Sequence, residues 1–253
     1  MSEILLVLLA GAAAGALNAI GGGGTFVALP VLVSLGLSPV TANALSRVAL
    51  VPGAVAGAWV YRRELAPVGG ASTRSLTAIS VIGGGVGGGL LLALPASSFD
   101  AAAPWLLAFA TVTLAFGTRL SQAWNATLGR TVGMSSRAVL TGQFILAVYG
   151  GYFGGAVGIL MLAFWSIGLG LDAAVSNPMR IAQLAAIYLS ATVLFLIASD
   201  TLSAPLLLAP MLIGAVAGGF AGAHLARRLP ARLLRGVILS TAVIMTVLYF
   251  LRG

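Results

Sequence analysis

The sequence contains no cysteine and no lysine, and only 7% of its 253 residues are charged. The absence of cysteine excludes disulfides, metal–thiolate sites and any relay of sulfur through a thiol. A soluble domain carries about 25% charged residues, so this chain has too few charges to cover a water-facing surface. Hydrophobic residues make up 60% of it, without the apolar–polar alternation of a membrane β-barrel. The composition therefore predicts an all-α, polytopic membrane protein.

Several stretches are long and apolar enough for transmembrane helices, which need about 20 mostly apolar residues. They include 41–61, 75–94, 104–118, 174–198, 205–226 and 236–251. The N-terminal stretch is preceded by Met1–Ser2–Glu3, which is acidic, whereas a signal peptide begins with a basic region. We therefore expect the N-terminal stretch to be the first membrane segment.

All 13 basic residues are arginine, and ten of them fall in three groups. The groups are Arg62, Arg63 and Arg74; Arg119, Arg130 and Arg137; and Arg227, Arg228, Arg232 and Arg235. The positive-inside rule places these loops in the cytoplasm of a cell whose inner (plasma) membrane the chain spans. Asp100, Asp200 and the N-terminus are then outside. Arginines in such short loops indicate membrane orientation, not nucleic-acid binding, in spite of the net charge of +8.

With this orientation, residues 3–36 begin and end outside, and residues 137–172 begin and end inside. Glycines interrupt both regions, at Gly21–Gly24 and within 150–158. The arm 25–36 would form about 18 Å of helix, less than the hydrocarbon core of about 30 Å. Each region is therefore either two spans or a re-entrant hairpin. Short, glycine-broken arms at matching positions are typical of transporter binding sites.

The two halves of the sequence match at an offset of 134 residues. The matching pairs include Gly21 with Gly155, Gly24 with Gly158, Asn43 with Asn177, Gly84 with Gly218 and Gly88 with Gly222. Each half contains about five segments, and two units with an odd number of segments must have opposite orientations. The sequence thus predicts two inverted-topology repeats with glycine-broken hairpins. We place the N-terminal repeat at 1–120, a cytoplasmic linker at 121–136 and the C-terminal repeat at 137–253.

Two arginines, Arg47 and Arg180, lie outside the loops and termini. Each lies six residues into its helix, about 9 Å below its membrane surface, and the inverted topology brings one from each side. A charge inside the bilayer costs at least about 2.5 kcal/mol, and none of the five acidic residues is expected near mid-membrane. An anionic ligand would supply the missing charge, because the planar guanidinium binds an oxoanion with two hydrogen bonds. The alternative is that both side chains snorkel to the headgroups.

Polar and glycine residues near these arginines are further candidates for binding the anion. The asparagines one turn earlier either contact the substrate or cap a broken helix, and the glycine clusters either present free N–H groups or allow close helix packing. For the glycines of 84–89 and 214–222 we favour packing. Besides the two arginines, the predicted substrate-binding set is Asn43, Asn177, Gly22, Gly23, Gly24, Thr25, Ser46, Gly155, Gly158 and Gln183.

Enzymatic chemistry has no support in the sequence. The GGGGT string at 21–25 lacks the GK[ST] ending of a phosphate-binding loop. No carboxylate pair, metal-ligand cluster or Ser–His arrangement is apparent, so we expect no catalysis, metal or cofactor. His224, the only histidine, is expected at the interface beside two arginines, not as a proton carrier. Tyr152 and Trp165 are expected to pack or to anchor the chain at the interface.

Two glycine-rich regions carry a resemblance to a known family. Residues 15–63 read GALNAIGGGGTFVALPVLVSLGLSPVTANALSRVALVPGAVAGAWVYRR, and residues 150–180 read GGYFGGAVGILMLAFWSIGLGLDAAVSNPMR. Together they resemble the sulfite exporter TauE/SafE family of membrane transporters. The resemblance implies two inverted repeats that move a small sulfur-containing anion, such as sulfite or an organosulfonate, mostly by export. Many relatives have Thr-Ser or Thr-Asn where this chain has Leu45–Ser46, and Lys where it has Arg180.

These features predict a secondary transporter of a small sulfur-containing oxoanion, working by alternating access around a midplane site of arginine, asparagine and hairpin glycines. Export could run without a coupling ion, because an anion leaving a negative-inside cell gains about 2.3 kcal/mol per charge per 100 mV. An anion channel on the same fold and a non-transporting membrane scaffold are the alternatives. The surface is rich in small residues, which makes a homodimer conceivable.

Overall fold

The structure is a computed structural model that describes residues 2–21, 23–128, 133–198 and 204–226, and the tail positions 236, 239–240, 243–244, 246–248 and 250–251. Several residues named above lie outside this part of the chain: Gly22, Arg130, Asp200, Arg227, Arg228, Arg232 and Arg235. The side chains of Arg119 and His224 are outside it too. The predictions that concern these residues stay predictions.

The described backbone is helical, apart from its loops and one isolated bridge between Val68 and Ala71. The helices are α1 (Ser2–Gly21), α2 (Thr25–Ser34), α3 (Pro39–Val60), α4 (Thr73–Ala93), α5 (Ala96–Leu128), α6 (Ser136–Tyr152), α7 (Val157–Leu169), α8 (Ala173–Ala198) and α9 (Pro205–Ala226).

Serine caps fix the beginnings of three helices. The hydroxyl of Ser38 accepts a hydrogen bond from the backbone N–H of Thr41, and Pro39 follows the cap at a position where a missing N–H costs nothing. Ser72 and Ser135 cap α4 and α6 in the same way. In these three places, the last residue of the loop is a serine that caps the apolar helix after it.

The helix lengths agree with a membrane protein. Among the described residues, three helical stretches are long and apolar enough to cross a bilayer: Thr73–Ala93, Val175–Ala198 and Pro205–Gly222. The all-α polytopic class is thereby confirmed. By contrast, α2 has ten residues and α7 has thirteen, which gives about 15 and 20 Å of helix. Neither reaches across a core of about 30 Å, so these lengths favour hairpins over paired spans.

The order of helix lengths in α1–α4 recurs in α6–α9 at the offset found in the sequence. The packing recurs as well: α1 packs on α9 and α6 on α4, while α3 and α8 contact each other. If a two-fold axis relates the halves, α1 corresponds to α6 and α4 to α9, so the contact of α1 with α9 must recur as the contact of α6 with α4. The inverted orientation and the domain boundaries stay predictions, and α5 continues to Leu128, within the predicted linker.

Glycines allow the long helices to approach closely. A Cβ at Gly84 would lie 2.7 Å from the carbonyl oxygen of Ile187, and one at Gly218 would lie 2.6 Å from the Cα of Ala12. Real Cβ atoms do not approach other atoms so closely. The packing role favoured for these two glycines is confirmed, whereas Gly89 faces open space.

Candidate functional site

Arg47 is fully buried in the N-terminal half of α3, where every residue from Ala42 to Leu50 is buried. Its Nη1 donates hydrogen bonds to the carbonyl oxygens of Gly150 and Gly151, the second at 3.3 Å. These carbonyls belong to the last turn of α6, where a helix leaves its acceptors unpaired and attracts positive charge. The Nε and Nη2 of Arg47 have no hydrogen-bond partner. One side of the guanidinium is thus held, and the other is free.

A glycine and a tyrosine fix the position of the Arg47 guanidinium. Gly154 lies against it in a left-handed conformation with φ +76°, so a side chain at this position would overlap the guanidinium. The Arg47 Cζ lies 5.3 Å from the centre of the Tyr188 ring, within the range of a cation–π interaction. The Tyr188 hydroxyl donates a 3.1 Å hydrogen bond to the carbonyl oxygen of Gly154.

Arg180 is also buried, with 2% of its surface exposed, in the N-terminal part of α8. Its Nε donates a 2.9 Å hydrogen bond to the Oδ1 of Asn177, one turn earlier. Its Nη1 has no partner and lies beside Gly158, where a Cβ would come within 2.8 Å of it. Neither arginine side chain therefore snorkels to the headgroups; both are buried in the protein.

Both arginines converge on the hairpin between α6 and α7. Gly154 and Gly158 are four residues apart in this hairpin, and one guanidinium packs against each of them. Tyr188 is within electrostatic range of both. The predicted location of the site between the two hairpins stays a prediction. The packing of α3 on α8 carries Arg47 into the C-terminal half. We call Arg47, Arg180, Gly154, Gly158 and Tyr188 the arginine site.

The two predicted asparagines have different roles in the structure. Asn43 is fully buried, and its Nδ2 donates a 2.9 Å hydrogen bond to the carbonyl oxygen of Tyr152 at the end of α6. Its amide therefore caps a broken helix, one of the two roles expected for it. Its Oδ1 has no partner. Asn177 instead accepts the hydrogen bond from Arg180.

Three weaker candidates are buried, with different partners. The Ser46 hydroxyl donates to the carbonyl oxygen of Asn43 in its own helix, at 2.8 Å. The Oγ1 of Thr25, in the first turn of α2, lies near Tyr188 without a well-formed hydrogen bond. Gln183 faces α4, where its Nε2 donates to the Thr77 hydroxyl at 3.2 Å.

The hairpin glycines differ between the halves. Gly24 precedes α2, and a Cβ there would lie 2.5 Å from the carbonyl oxygen of Ala14 and 3.1 Å from Leu50 Cδ1. It therefore serves close packing, and its neighbour Gly23 is buried. The carbonyl oxygen of Gly155 accepts a 2.9 Å hydrogen bond from the Tyr149 hydroxyl.

The sequence analysis missed Tyr188, and it counted Gly154 among the hairpin glycines of 150–158 without including it in the substrate-binding set. A tyrosine in an otherwise aliphatic stretch of α8 was the signal for Tyr188. The sequence analysis also missed Ala156, which precedes α7 and adopts a left-handed conformation with φ +56° although it is not glycine. Such strain is concentrated at functional sites and binding hairpins. Trp165, expected to pack, is fully buried, and its Nε1 has no partner.

The arginine site has no negative partner within the described part of the chain. The described acids, Glu3, Glu64, Asp100 and Asp172, are all exposed, and no ion pair joins a carboxylate to either arginine. Among the described residues no cluster of His, Cys, Asp or Glu could hold a metal ion. The unpaired N–H groups of two buried guanidiniums are suited to an oxoanion.

A cavity of about 400 Å³, partly open to the outside of the protein, lies beside this site and is lined by α1, α3, α8 and α9. Its lining includes Asn177, the hydrogen-bond partner of Arg180. The site is therefore separated from an open space by one side chain.

Comparisons with known proteins agree with the resemblance seen in the sequence. The model of the family described as sulfite exporter TauE/SafE matches residues 7–249. Comparisons with curated proteins and with solved structures give no match.

Proposed function

Because the chain belongs to the sulfite exporter TauE/SafE family, and the family implies a membrane transporter of sulfite or related anions, we propose that it exports a small sulfur-containing oxoanion by alternating access. Sulfite and organosulfonates are the substrates that the chemistry of the arginine site fits best. The membrane is the plasma membrane, with the arginine-rich loops in the cytoplasm and the N-terminus outside.

The observation that carries the proposal is the burial of two arginines without a carboxylate. Each buried charge costs at least about 2.5 kcal/mol in a membrane, and each unsatisfied buried polar group costs about 1–3 kcal/mol more. Helix carbonyls and Asn177 compensate only part of this cost. A bound oxoanion would accept hydrogen bonds from the free Nε and Nη2 of Arg47 and from Nη1 of Arg180, and would neutralise one charge or two.

The packing of the helices suggests how the site could face each side of the membrane in turn. The two halves exchange equivalent contacts, with α3 and α8 at the centre, and Arg47 and Arg180 lie on these two helices. Rocking of one half against the other would move the two arginines relative to each other and expose the bound anion. Export needs no coupling ion, since the membrane potential supplies about 2.3 kcal/mol per charge per 100 mV.

Flux of sulfite and ethanesulfonate into proteoliposomes tests the proposal. We expect Arg47→Ala and Arg180→Ala each to abolish flux, because each removes one of the two positive charges that would hold the anion. Arg74→Ala is the matched control, since Arg74 is exposed at the start of α4, and its flux should equal that of the wild type. Wild-type flux in both site variants would refute the assignment. Single-channel currents across a planar bilayer would indicate the channel alternative, because alternating access does not produce them.

A further inference from the structure

The backbone at the beginning of α7 has N–H groups that donate to no acceptor in the described part of the chain. They are the N–H groups of Gly155, Ala156, Val157 and Gly158. The first turn of a helix leaves its N–H groups without partners inside the helix, and a polar side chain at the cap normally accepts from one of them. Here the cap is Ala156, which has no side-chain acceptor. These donors therefore need an acceptor from outside the helix.

The left-handed conformation of Ala156 directs these donors to one side. Ala156 has φ 56° and ψ 11°, and Val157 begins the right-handed helix. A change of hand between neighbouring residues turns successive N–H groups towards one concave side, as in the backbone nests that bind anions. A left-handed conformation is unfavourable for alanine, so the packing of the hairpin imposes it.

Two tyrosine hydroxyls hold the carbonyl groups that precede these donors. The Tyr149 hydroxyl donates a 2.9 Å hydrogen bond to the carbonyl oxygen of Gly155, and the Tyr188 hydroxyl donates a 3.1 Å hydrogen bond to that of Gly154. In a planar trans peptide the N–H points opposite to the carbonyl oxygen. The N–H of Ala156 therefore points away from Tyr149, and the N–H of Gly155 points away from Tyr188.

Both buried guanidiniums pack at this end of α7. A Cβ at Gly158 would lie 2.8 Å from the Nη1 of Arg180, and Cα–Cβ bonds tilt towards the N-terminus of a helix, so Nη1 lies beside the first turn. This Nη1 has no hydrogen-bond partner, and neither have the Nε and Nη2 of Arg47, which packs against Gly154. The N-terminus of a helix carries partial positive charge and repels cations. A bound anion would remove this repulsion and accept from every one of these donors.

We propose that the anion binds directly against the first turn of α7, where the N–H groups of Ala156, Val157 and Gly158 form the main-chain part of the arginine site. This inference rests on the proposed function and adds donors to it that no side chain supplies. Main-chain donors have no rotamers, so the anion meets them already in position, and they stabilise its charge without reorganisation. The two guanidiniums then cover the anion from the sides of α3 and α8.

Removing a single N–H tests the inference. Val157→α-hydroxyisovaleric acid, introduced by nonsense suppression, replaces this N–H by an ester oxygen and keeps the side chain. Val40→α-hydroxyisovaleric acid is the matched control, because the N–H of Val40 also lies in the first turn of a helix and has no acceptor among the described residues. Val40 is seven residues before Arg47, about 10 Å along α3. An ester also weakens the preceding carbonyl as an acceptor, so without anion both variants should lose similar thermal stability.

The measurement is the Kd of the purified full chain in nanodiscs for sulfite, by titration calorimetry. The Val157 ester should raise the Kd by about tenfold to a hundredfold, the loss of one hydrogen bond to a charged acceptor. The Val40 ester should leave the Kd unchanged. A second readout uses the wild-type protein labelled at valine: when sulfite saturates it, the amide proton resonance of Val157 should move downfield, and that of Val40 should not. Val157→Ile identifies the resonance by its disappearance.

Two results would overturn the inference and leave the proposed function intact. One is an unchanged sulfite Kd in the Val157 ester, and the other is an amide resonance of Val157 that does not respond to sulfite. In both cases the guanidiniums alone would hold the anion, and Arg47→Ala and Arg180→Ala would still abolish flux. If the wild type neither binds nor transports sulfite or ethanesulfonate, the proposed function itself is refuted, and the inference with it.

Discussion

Replacing Gly154 by alanine should be among the most damaging small substitutions in this chain. Gly154 adopts φ +76° and lies against the Arg47 guanidinium, so the added methyl group both strains the backbone and collides with a buried charge. The guanidinium can yield only by leaving the carbonyl oxygens of Gly150 and Gly151, its hydrogen-bond acceptors.

The magnitude follows from these two effects. A left-handed conformation costs an alanine about 1–2 kcal/mol. Losing hydrogen bonds from a charged donor costs about 1.5–3 kcal/mol. We therefore expect Gly154→Ala to lower the free energy of unfolding by about 2.5–5 kcal/mol. Gly36→Ala is the control for the backbone effect alone, because Gly36 has φ +92° and a Cβ there meets nothing within 4 Å. It should cost only about 1–2 kcal/mol.

Unfolding in mixed micelles and anion flux in liposomes measure the outcome. Gly154→Ala should lose flux, since Arg47 is displaced, whereas Gly36→Ala should keep it. A double-mutant cycle with Arg47→Ala isolates the collision: without the guanidinium, the cost of Gly154→Ala should fall to the backbone value. Equal costs for the two glycine variants, or an unchanged cost in the Arg47→Ala background, would refute this reasoning.

Three further predictions concern the partners of the arginine site. Arg180→Lys should keep part of the flux, because the positive charge remains. It should raise the half-saturating anion concentration, because an ammonium group cannot form the two parallel hydrogen bonds that a planar guanidinium donates to an oxoanion. Asn43→Leu should lower the free energy of unfolding by about 1–3 kcal/mol, since a buried carbonyl of Tyr152 loses its donor; an unchanged stability would mean that water replaces the amide. Tyr188→Phe should cost about 0.5–1.5 kcal/mol through its lost hydrogen bond, and Tyr188→Leu should cost more, since it also removes the cation–π contact with Arg47. Equal costs for the two tyrosine variants would contradict the cation–π assignment.

The sequence predicted well what depends on composition and local pattern. The helical membrane class follows from the lack of charge, and the breaks before α2 and α7 follow from glycine clusters. The sequence placed Arg47 and Arg180 inside long apolar helices, about 9 Å below the membrane surface, but it could not decide between burial, which the structure shows, and snorkelling. Each of these inferences needs only residues that are close along the chain.

The arrangement of the site could not be predicted in the same way. Arg47 bonds to carbonyls more than a hundred residues away, and the partner depends on how α3 crosses α8. The repeat was a misleading guide here, because Arg47 corresponds to Ile181 and Arg180 to Ser46 at the 134-residue offset. The two arginines are therefore not equivalent in the repeat, and both pack against the hairpin between α6 and α7.

The backbone conformation of Ala156 could not be predicted from local sequence either. Local preference assigns a left-handed conformation to glycine, and glycines were available on both sides of the hairpin, yet the chain places alanine at φ +56°. The residue is fully buried, so its surroundings and not its own preference determine its conformation. Contacts of this kind become visible only when the helices are packed.

The two arginines differ in how firmly the protein holds their side chains. Arg47 donates hydrogen bonds to the main chain of α6, which cannot move without that helix, and its Cζ lies 5.3 Å from the centre of the Tyr188 ring on α8. Arg180 is held by one side-chain amide, and that amide faces the cavity. On the proposed function, an anion entering from the cavity would displace Asn177 from Arg180, at the cost of a single hydrogen bond, before it reached Arg47. On this argument Arg180 sets the affinity for an anion in the cavity, and Arg47 holds the opposite side of the bound anion.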